Sequence, residues 1–311
     1  METELRYIYE VCRTGNFSRA AENLFVSQPA LSKAIKKTED AIGMPLFDRR
    51  SHPLQLTEAG EAYMEAIEKI LLIEKDLSDR VRDIKDLKRG HISIGGSNYV
   101  NTSILPDVLT SFQEACPGVE IQLVEFSSAR LAQMLAKNEL DLTFSCNTRF
   151  MQDFERKEAF RDRLLMAVPW NFPLNEELEN YSYGADEILQ GDHLLGKKEP
   201  VPVSAFRDLP FIALDKGNNL YDRAVQMYQE AGFEPDIRIV LQQMTTAFKL
   251  AESGFGITVT CDRLIRSSYT DLRFYVIDTP LADRVFYMLL PKRDYIPAAV
   301  RRFMEHFRSR I

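Results

Sequence analysis

Residues 20–37 read Ala20-Ala21-Glu22-Asn23-Leu24-Phe25-Val26-Ser27-Gln28-Pro29-Ala30-Leu31-Ser32-Lys33-Ala34-Ile35-Lys36-Lys37, and the fold of the N-terminal region turns on them. Leu31, Ala34, Ile35, Thr38 and Ile42 recur at steps of three and four, so they share one helix face, while Gln28, Pro29, Ser32, Lys33 and Lys36 share the other. One face is predicted to be core and the other to reach outward. Ser27 stands where an N-cap oxygen is wanted, and Pro29 is tolerated in a first turn. Upstream, Leu5, Ile8 and Cys12 predict a first helix stopped at Gly15-Asn16, and Ala20, Ala21 and Leu24 the inner face of a short second helix that Ser18 can cap. Downstream, Gly43 ends the third helix, and the segment from Pro45 to Leu56 reads as a short two-stranded wing.

Helix, short helix, tight turn, helix and wing is the order of a winged helix-turn-helix, whose second motif helix enters the DNA major groove. Charge agrees locally. Between Arg13 and Lys37, the cations Arg13, Arg19, Lys33, Lys36 and Lys37 face only Glu22, in a chain whose net charge is -7. That acidic total excludes a protein that coats nucleic acid along its whole surface, but leaves room for one basic site. Gln28 can pair bidentately with an adenine edge, and Ser32 and Lys33 lie one turn further on. Ser18, Arg19, Ser27, Pro29 and Lys36 lie around the helix ends and basic face, where phosphate would sit, and Arg49 on the wing can reach backbone or minor groove.

Thr57 can cap a helix with no strong breaker from Glu58 to Arg89, roughly 32 residues or about 48 Å long. Tyr63, Ala66, Ile70, Ile73, Leu77, Val81, Ile84 and Leu87 form a narrow apolar seam between charges, which predicts pairing with a partner helix. From His91 the pattern changes. Strands expected around Ile92–Gly95, Val119–Glu125 and Leu140–Ser145 alternate with helices over Ile104–Cys116 and Leu131–Lys137. A second round runs from Leu164 to Thr260, followed by a strand at Val285–Leu290 and a closing helix at Pro297–Arg310. Alternation of this kind predicts parallel sheets covered by helices, in two similar α/β halves.

At 311 residues, 45% apolar and 27% charged, the chain suits a globular protein of two domains with a small third piece. Its four cysteines include no C-x-x-C pair, which fits neither a disulfide scaffold nor a structural zinc site and suggests a reducing compartment. The start Met1-Glu2-Thr3-Glu4-Leu5-Arg6 has no basic-then-apolar leader, and no apolar run approaches the ~18 residues of a membrane span. A cytoplasmic location without a membrane partner is therefore expected.

The predicted strand ends of the α/β region are polar. Ser97-Asn98-Tyr99 with Thr102-Ser103, Ser127-Ser128, Ser145-Cys146-Asn147, Gly217-Asn218-Asn219 and Thr245-Thr246 follow successive strands. Any one hydroxyl could merely cap its own helix, but five clusters favour a ligand cleft at the carboxyl ends of the strands. Hydroxyls, amides and backbone N–H groups suit a small anionic or polar guest. Catalysis fares worse. His52, His91, His193 and His306 lack metal-ligand spacing, no nucleophile elbow or phosphate loop occurs, and Gly254-x-Gly256 reads as a helix-to-strand turn. No cofactor or metal is expected. Cys12 and Cys116 read as structural, whereas Cys146 and Cys261 at strand ends leave oxidant sensing open. Three classes remain: a ligand-responsive DNA-binding regulator, a solute-binding protein without DNA activity, and an enzyme on a doubly wound fold.

The stretch 20–37, with Glu39, Gly43, Pro45-Leu46-Phe47, Arg49 and Leu56-Thr57-x-Ala59-Gly60, resembles the LysR-type transcriptional regulators. The remainder is similar too, in Leu105-Pro106, Pro117, Leu140-Asp141 and Gly254-Phe255-Gly256-Ile257. Thr38, His52, Asn138 and Cys261 depart from the usual pattern. The resemblance implies an overall α/β chain: an all-α winged helix-turn-helix at 1–58, a long dimerisation helix at 59–89, and two Rossmann-like effector subdomains at 90–162 with 278–311 and at 163–277. It implies two crossover strands, a cleft between the subdomains, a homodimer or homotetramer on two-fold operators of double-stranded DNA, and RNA polymerase as a further partner. The effector set is Ser97, Asn98, Tyr99, Ser127, Ser128, Cys146, Asn218, Thr245 and Thr246.

Overall fold

A computed structural model describes residues 3–51, 54–85, 90–216 and 218–311, so the expectations for His52, Leu87 and Gly217 fall outside the described residues. The chain divides into two compact units, Met1–Asp86 and Leu87–Ile311.

In the first unit α1 (Thr3–Thr14), α2 (Phe17–Asn23) and α3 (Gln28–Ile42) precede the antiparallel wing of β1 (Phe47–Asp48) and β2 (Gln55–Leu56), then α4 (Glu58–Lys85). Ile8, Val11, Ala20, Ala21, Leu31, Ile35, Leu46, Phe47 and Ile67 close its core. Ser27 accepts from the Ala30 amide at 3.3 Å, and Gly43 ends α3 at φ +72°. Between α2 and α3 the chain turns through Phe25 at φ +55°, a left-handed residue that is not glycine. Thr38 sits on the core side by donating its hydroxyl to the Ala34 carbonyl at 3.4 Å. The cap of α2 differs from expectation. Asn16, not Ser18, accepts from the amides of Ser18 and Arg19 at 2.9 and 3.1 Å, because Phe17 already begins the helix.

The apolar seam of α4 also divides differently. Tyr63, Ile67 and Leu71 pack into the first unit's core, whereas Ile73, Leu77 and Val81 are 67%, 62% and 50% exposed. Ile67 and Leu71 were outside the expected seam; the core takes the face set by the position of α1–α3. Thr57 accepts from the Gly60 amide at 3.1 Å, as its capping position requires.

In the second unit β3 (Gly90–Gly96), α5 (Asn98–Ser103), α6 (Leu105–Ala115), β4 (Val119–Glu125), α7 (Ser128–Ala136) and β5 (Leu142–Ser145) form the first α/β round. β3 pairs in parallel with β4 and β5. Then comes β6 (Glu155–Pro169), a continuous 15-residue strand. It leads to α8 (Leu174–Glu177), β7 (Ser182–Tyr183), α9 (Ala185–Leu189), β8 (Pro210–Leu214), α10 (Asn219–Glu230), β9 (Asp236–Leu241), α11 (Met244–Glu252), β10 (Thr258–Cys261), β11 (Leu272–Val276), β12 (Asp283–Leu290) and α12 (Ala298–Arg310).

The sheet order is β4-β3-β5-β12-β6-β11-β7, with β10 also on β6. The purely parallel sheet expected from alternation is thus corrected: β12 is antiparallel to both β5 and β6, and β6 is antiparallel to β10 and β11. The reason is β6 itself. Its residues 155–163 pair with β12, and from Leu164 onward it pairs with β10 and then β11, so one strand serves two α/β halves. β8 pairs in parallel with β9 and joins β10's approach through Ile257, whose N–H donates to the Pro210 carbonyl at 2.8 Å. A Cβ on Gly256 would stand 2.7 Å from that same carbonyl, which is why glycine precedes Ile257. Asn138 takes φ +55° at the end of α7, the left-handed conformation its short amide tolerates.

Candidate nucleic-acid interface and ligand cleft

On the first unit, Gln28, Pro29, Lys33, Lys36 and Lys37 are exposed along α3 and Ser32 is half-buried, so the expected outward face is the outward face. Ser18 and Arg19 at the start of α2 and Ser27 before α3 are exposed as well. Two contacts modify the charge expected there. Arg13 bonds Glu10 at 2.7 Å, and this holds the Glu10 carboxyl below its ordinary range, so that one cation is already answered. Arg49 bonds Glu39 at 3.1 Å and lies over the Phe17 ring at 5.2 Å. Glu39 also accepts from the Leu46 amide at 2.9 Å, so a carboxylate at the foot of the recognition helix holds the wing arginine in place. Sequence reasoning had not assigned Glu39 that positioning role.

In the second unit one cavity of about 520 Å³ opens where β3, β4, β5, β8 and β9 end and α5, α7, α10 and α11 begin. Ser97 precedes α5 without capping it, which leaves its hydroxyl for the cavity. Ser127 caps α7 through the Arg130 amide, and Asn218 caps α10 through the Leu220 amide at 3.0 Å. Asn98 donates to Glu125 at 3.2 Å. Cys146 is buried at the end of β5 and donates its thiol to Asn219 Oδ1 at 3.0 Å.

The floor comes from the crossover. Arg284 on β12 stands directly opposite Asp162 on β6; its Nε donates to Asp162 Oδ1 at 2.8 Å and a terminal nitrogen reaches Oδ2. Tyr99 donates to the same carboxylate at 2.7 Å. Burial works against the Arg284 charge, but Asp162 outweighs it and holds the guanidinium above its ordinary range. Two residues along the same faces, Phe286 stacks on Phe160 with ring centroids 4.5 Å apart. Burial pushes the thiols of Cys146 and Cys261 up, which disfavours the thiolate form of each.

Residues 3–61 match the family model for bacterial regulatory helix-turn-helix proteins of the lysR family, and residues 85–182 and 188–311 match that for the LysR substrate binding domain. The chain belongs to the LysR family. Among its relatives, the uncharacterized HTH-type transcriptional regulator YcgK of Bacillus subtilis is 28% identical over 97% of this chain and 92% of that protein. A "Probable RuBisCO transcriptional regulator" of Trichormus variabilis is 30% identical over 81% of this chain and 71% of that protein. The fold is that of full-length OxyR from Pseudomonas aeruginosa (TM-score 0.67, 20% identity, 98% and 97% of the two chains). It is also that of CbnR in complex with its target DNA (TM-score 0.61, 22% identity, 99% of both). This LysR-family protein is a DNA-binding transcriptional regulator with a substrate-binding domain, and its relatives are regulators rather than enzymes. Among the described residues no helix is long and apolar enough to cross a membrane, and no group of three or more His, Cys, Asp or Glu could hold a metal.

Of the expected effector set, the structure gathers Ser97, Asn98, Tyr99, Ser127, Ser128, Cys146 and Asn218 around the cleft. Thr245 and Thr246 do not line it. α11 begins at Met244, so Thr245 and Thr246 fall inside its first turn rather than before it, which leaves Thr245 half-buried, Thr246 exposed, and Gln242, Gln243 and Met244 on the cavity wall. Glu125, Asp215, Lys216, Arg284 and Phe286 were missed, and Asn219, named in a polar strand-end cluster, was left out of the effector set. Asp215 and Asn219 adjoin predicted strand ends and were within reach of the same signal. Arg284 and Phe286 lie on the returning strand, and no local pattern marks them.

Proposed function

We propose that this regulator binds two-fold sites on double-stranded DNA as a homodimer or homotetramer, and that a small anionic or polar effector in the cleft switches it. The convergence of four helix N-termini on one cavity carries the effector reading, since unpaired amides and the helix dipole favour negative charge. Side-chain charge does not supply this preference: Lys216 and Arg284 line the cavity with Glu125 and Asp215, and Asp162 already neutralises Arg284, so the helix N-termini carry it. Tyr99, Phe144, Phe286, Leu220 and Met244 give the cavity apolar wall, so the guest is a carboxylate or similar anion on a small hydrocarbon frame. Ser97, Asn98, Ser128 and Asn218 hold its polar end, with Ser127, Tyr99 and Cys146 beside them.

On DNA, Gln28, Ser32 and Lys33 read bases or set the helix in the groove. Arg19, Lys36 and Arg49 hold the backbone, with Ser18, Ser27 and Pro29 at the helix ends. The target-DNA complex of CbnR supports this use of the shared fold. The subdomains are taken as 90–162 with 278–311 and 163–277, the boundary falling within β6 near Leu164. A cytoplasmic location follows from the DNA partner. Effector binding acts only through a preference for one arrangement of the subdomains, and hence one spacing of the DNA-binding helices. A gel shift on the DNA upstream of the gene, repeated with a panel of small carboxylates, tests both halves. Specific retardation altered by one carboxylate is the expected result. Absence of a specific shift rejects the DNA reading, and a shift that responds only to neutral or cationic compounds rejects the anionic one.

A further inference from the structure

α2 closes in a turn that ordinarily takes glycine. Past its last residue, Asn23, the Phe25 amide donates to the Glu22 carbonyl at 3.1 Å and the Val26 amide to the Ala21 carbonyl at 3.0 Å, the paired bonds that end a helix around one left-handed residue. That residue is Phe25, at φ +55°. A Cβ crowds the following carbonyl in this conformation, which is why glycine is preferred and a bulky side chain is an outlier. The end of α3 shows the ordinary solution, with Gly43 at φ +72°. Nor does the Phe25 ring serve the folded unit. It is 96% exposed, whereas Leu24 and Val26 on either side pack against the core. In the isolated chain the position carries a backbone cost and no packing gain, so a gain that offsets the cost has to come from a bound partner.

DNA is the partner within reach. Ser27, Gln28, Pro29 and Ala30 are all exposed, and Gln28 opens α3, whose counterpart in a helix-turn-helix meets base edges with its first residues. Three residues of chain span at most about 11 Å, less than the ~12 Å width of the major groove. With Gln28 at a base edge, a ring two residues before the Ser27 cap and free of the core therefore stands beside the neighbouring nucleotides. Their apolar surface is a thymine methyl or the face of a deoxyribose. We infer that Phe25 is a further DNA-contacting residue, which lays its ring on that apolar surface next to the bases that α3 reads. The inference rests on α3 entering the groove, as proposed above.

The probe is the DNA upstream of the gene, amplified once with thymine and once with uracil, which lacks the 5-methyl group. Phe25→Gly removes the ring and supplies the residue that the turn prefers, so in the full-length protein the unfolding midpoint of the first unit stays level or rises. Affinity for the thymine fragment falls by about five- to thirtyfold, the effect of uncovering one partly buried ring. Because no cation is lost, the slope of affinity against salt stays that of the wild type, unlike the slope of Arg49→Ala. Phe25→Tyr, which keeps the ring, stays within about threefold of wild type. A Phe25→Gly loss that shrinks on the uracil fragment assigns the contact to a thymine methyl, and the same loss on both fragments assigns it to deoxyribose. Phe25→Gly binding as tightly as wild type, a lowered unfolding midpoint or a flattened salt slope overturns the inference. If the wild type gives no specific shift, the reading of α3 falls and this inference with it; a wild-type shift that Phe25→Gly leaves intact removes this inference alone.

Discussion

Replacing Asp162 by alanine strips the counter-charge from a guanidinium that has no other acceptor among the described residues. Arg284 is 4% exposed and Asp162 fully enclosed at the side chain, and the two are register partners on antiparallel strands. Removing one member of such a pair leaves an uncompensated buried charge, which costs about 3–5 kcal/mol. The Tyr99 hydroxyl loses its acceptor in the same step. For a unit of this size each kcal/mol moves the melting temperature by about 2–4 °C, so the transition of residues 87–311 falls by about 6–20 °C. Calorimetry reads that shift, with hydrogen exchange over 155–169 as a local monitor. The decisive variant is the double one. If charge burial is the cause, adding Arg284→Met to Asp162→Ala restores most of the loss, because a similar volume without charge then meets Phe286 and Tyr99. A loss under about 1 kcal/mol for Asp162→Ala, or a double variant less stable than the single, would refute the reasoning.

Ser97→Ala should raise the effector concentration needed for half response, whereas Thr246→Ala, off the cleft wall, should not; reporter titrations compare the two, and equal shifts contradict the cleft drawn here. Gln28→Ala should cost ~1–3 kcal/mol on the preferred site and relax specificity there, while Arg49→Ala weakens all sequences and flattens the salt dependence. Gel shifts on specific and random DNA separate these, and equal losses for Gln28→Ala reject base reading. Lys at Ile73 and Leu77 places charges on the exposed row of α4 and should dissociate the oligomer by light scattering, since both side chains are unused by the first unit's core. Cys146, whose thiol is buried and pushed up, should react slowly with a disulfide reagent at pH 7.5; fast labelling without unfolding would restore a redox role.

The N-terminal unit was almost wholly legible because its information is local. A helix face repeats every three or four residues, and caps and αL glycines mark where it stops, so Ser27, Gly43 and Thr57 could each be placed without neighbours. Where two residues competed for one task, as Asn16 and Ser18 did for the cap of α2, the backbone path decided. The polar strand ends were legible for the same reason, each lying within a few residues of a strand-to-helix turn. The helix start at Met244 was not, because Thr245-Thr246 offer equally good capping chemistry and propensity alone does not choose between them.

What only the tertiary structure decided is everything that depends on strands far apart in the chain. Only the second half of β6, from Leu164, was read as a strand; its first half, and the different neighbours the two halves find, came with the fold. Asp162 and Arg284 lie 122 residues apart, and neither carries a periodic signal; they meet because β12 returns antiparallel to β6 in one register. The floor of the cleft and the face of α4 left uncovered follow from packing between elements, which a one-dimensional pattern does not encode.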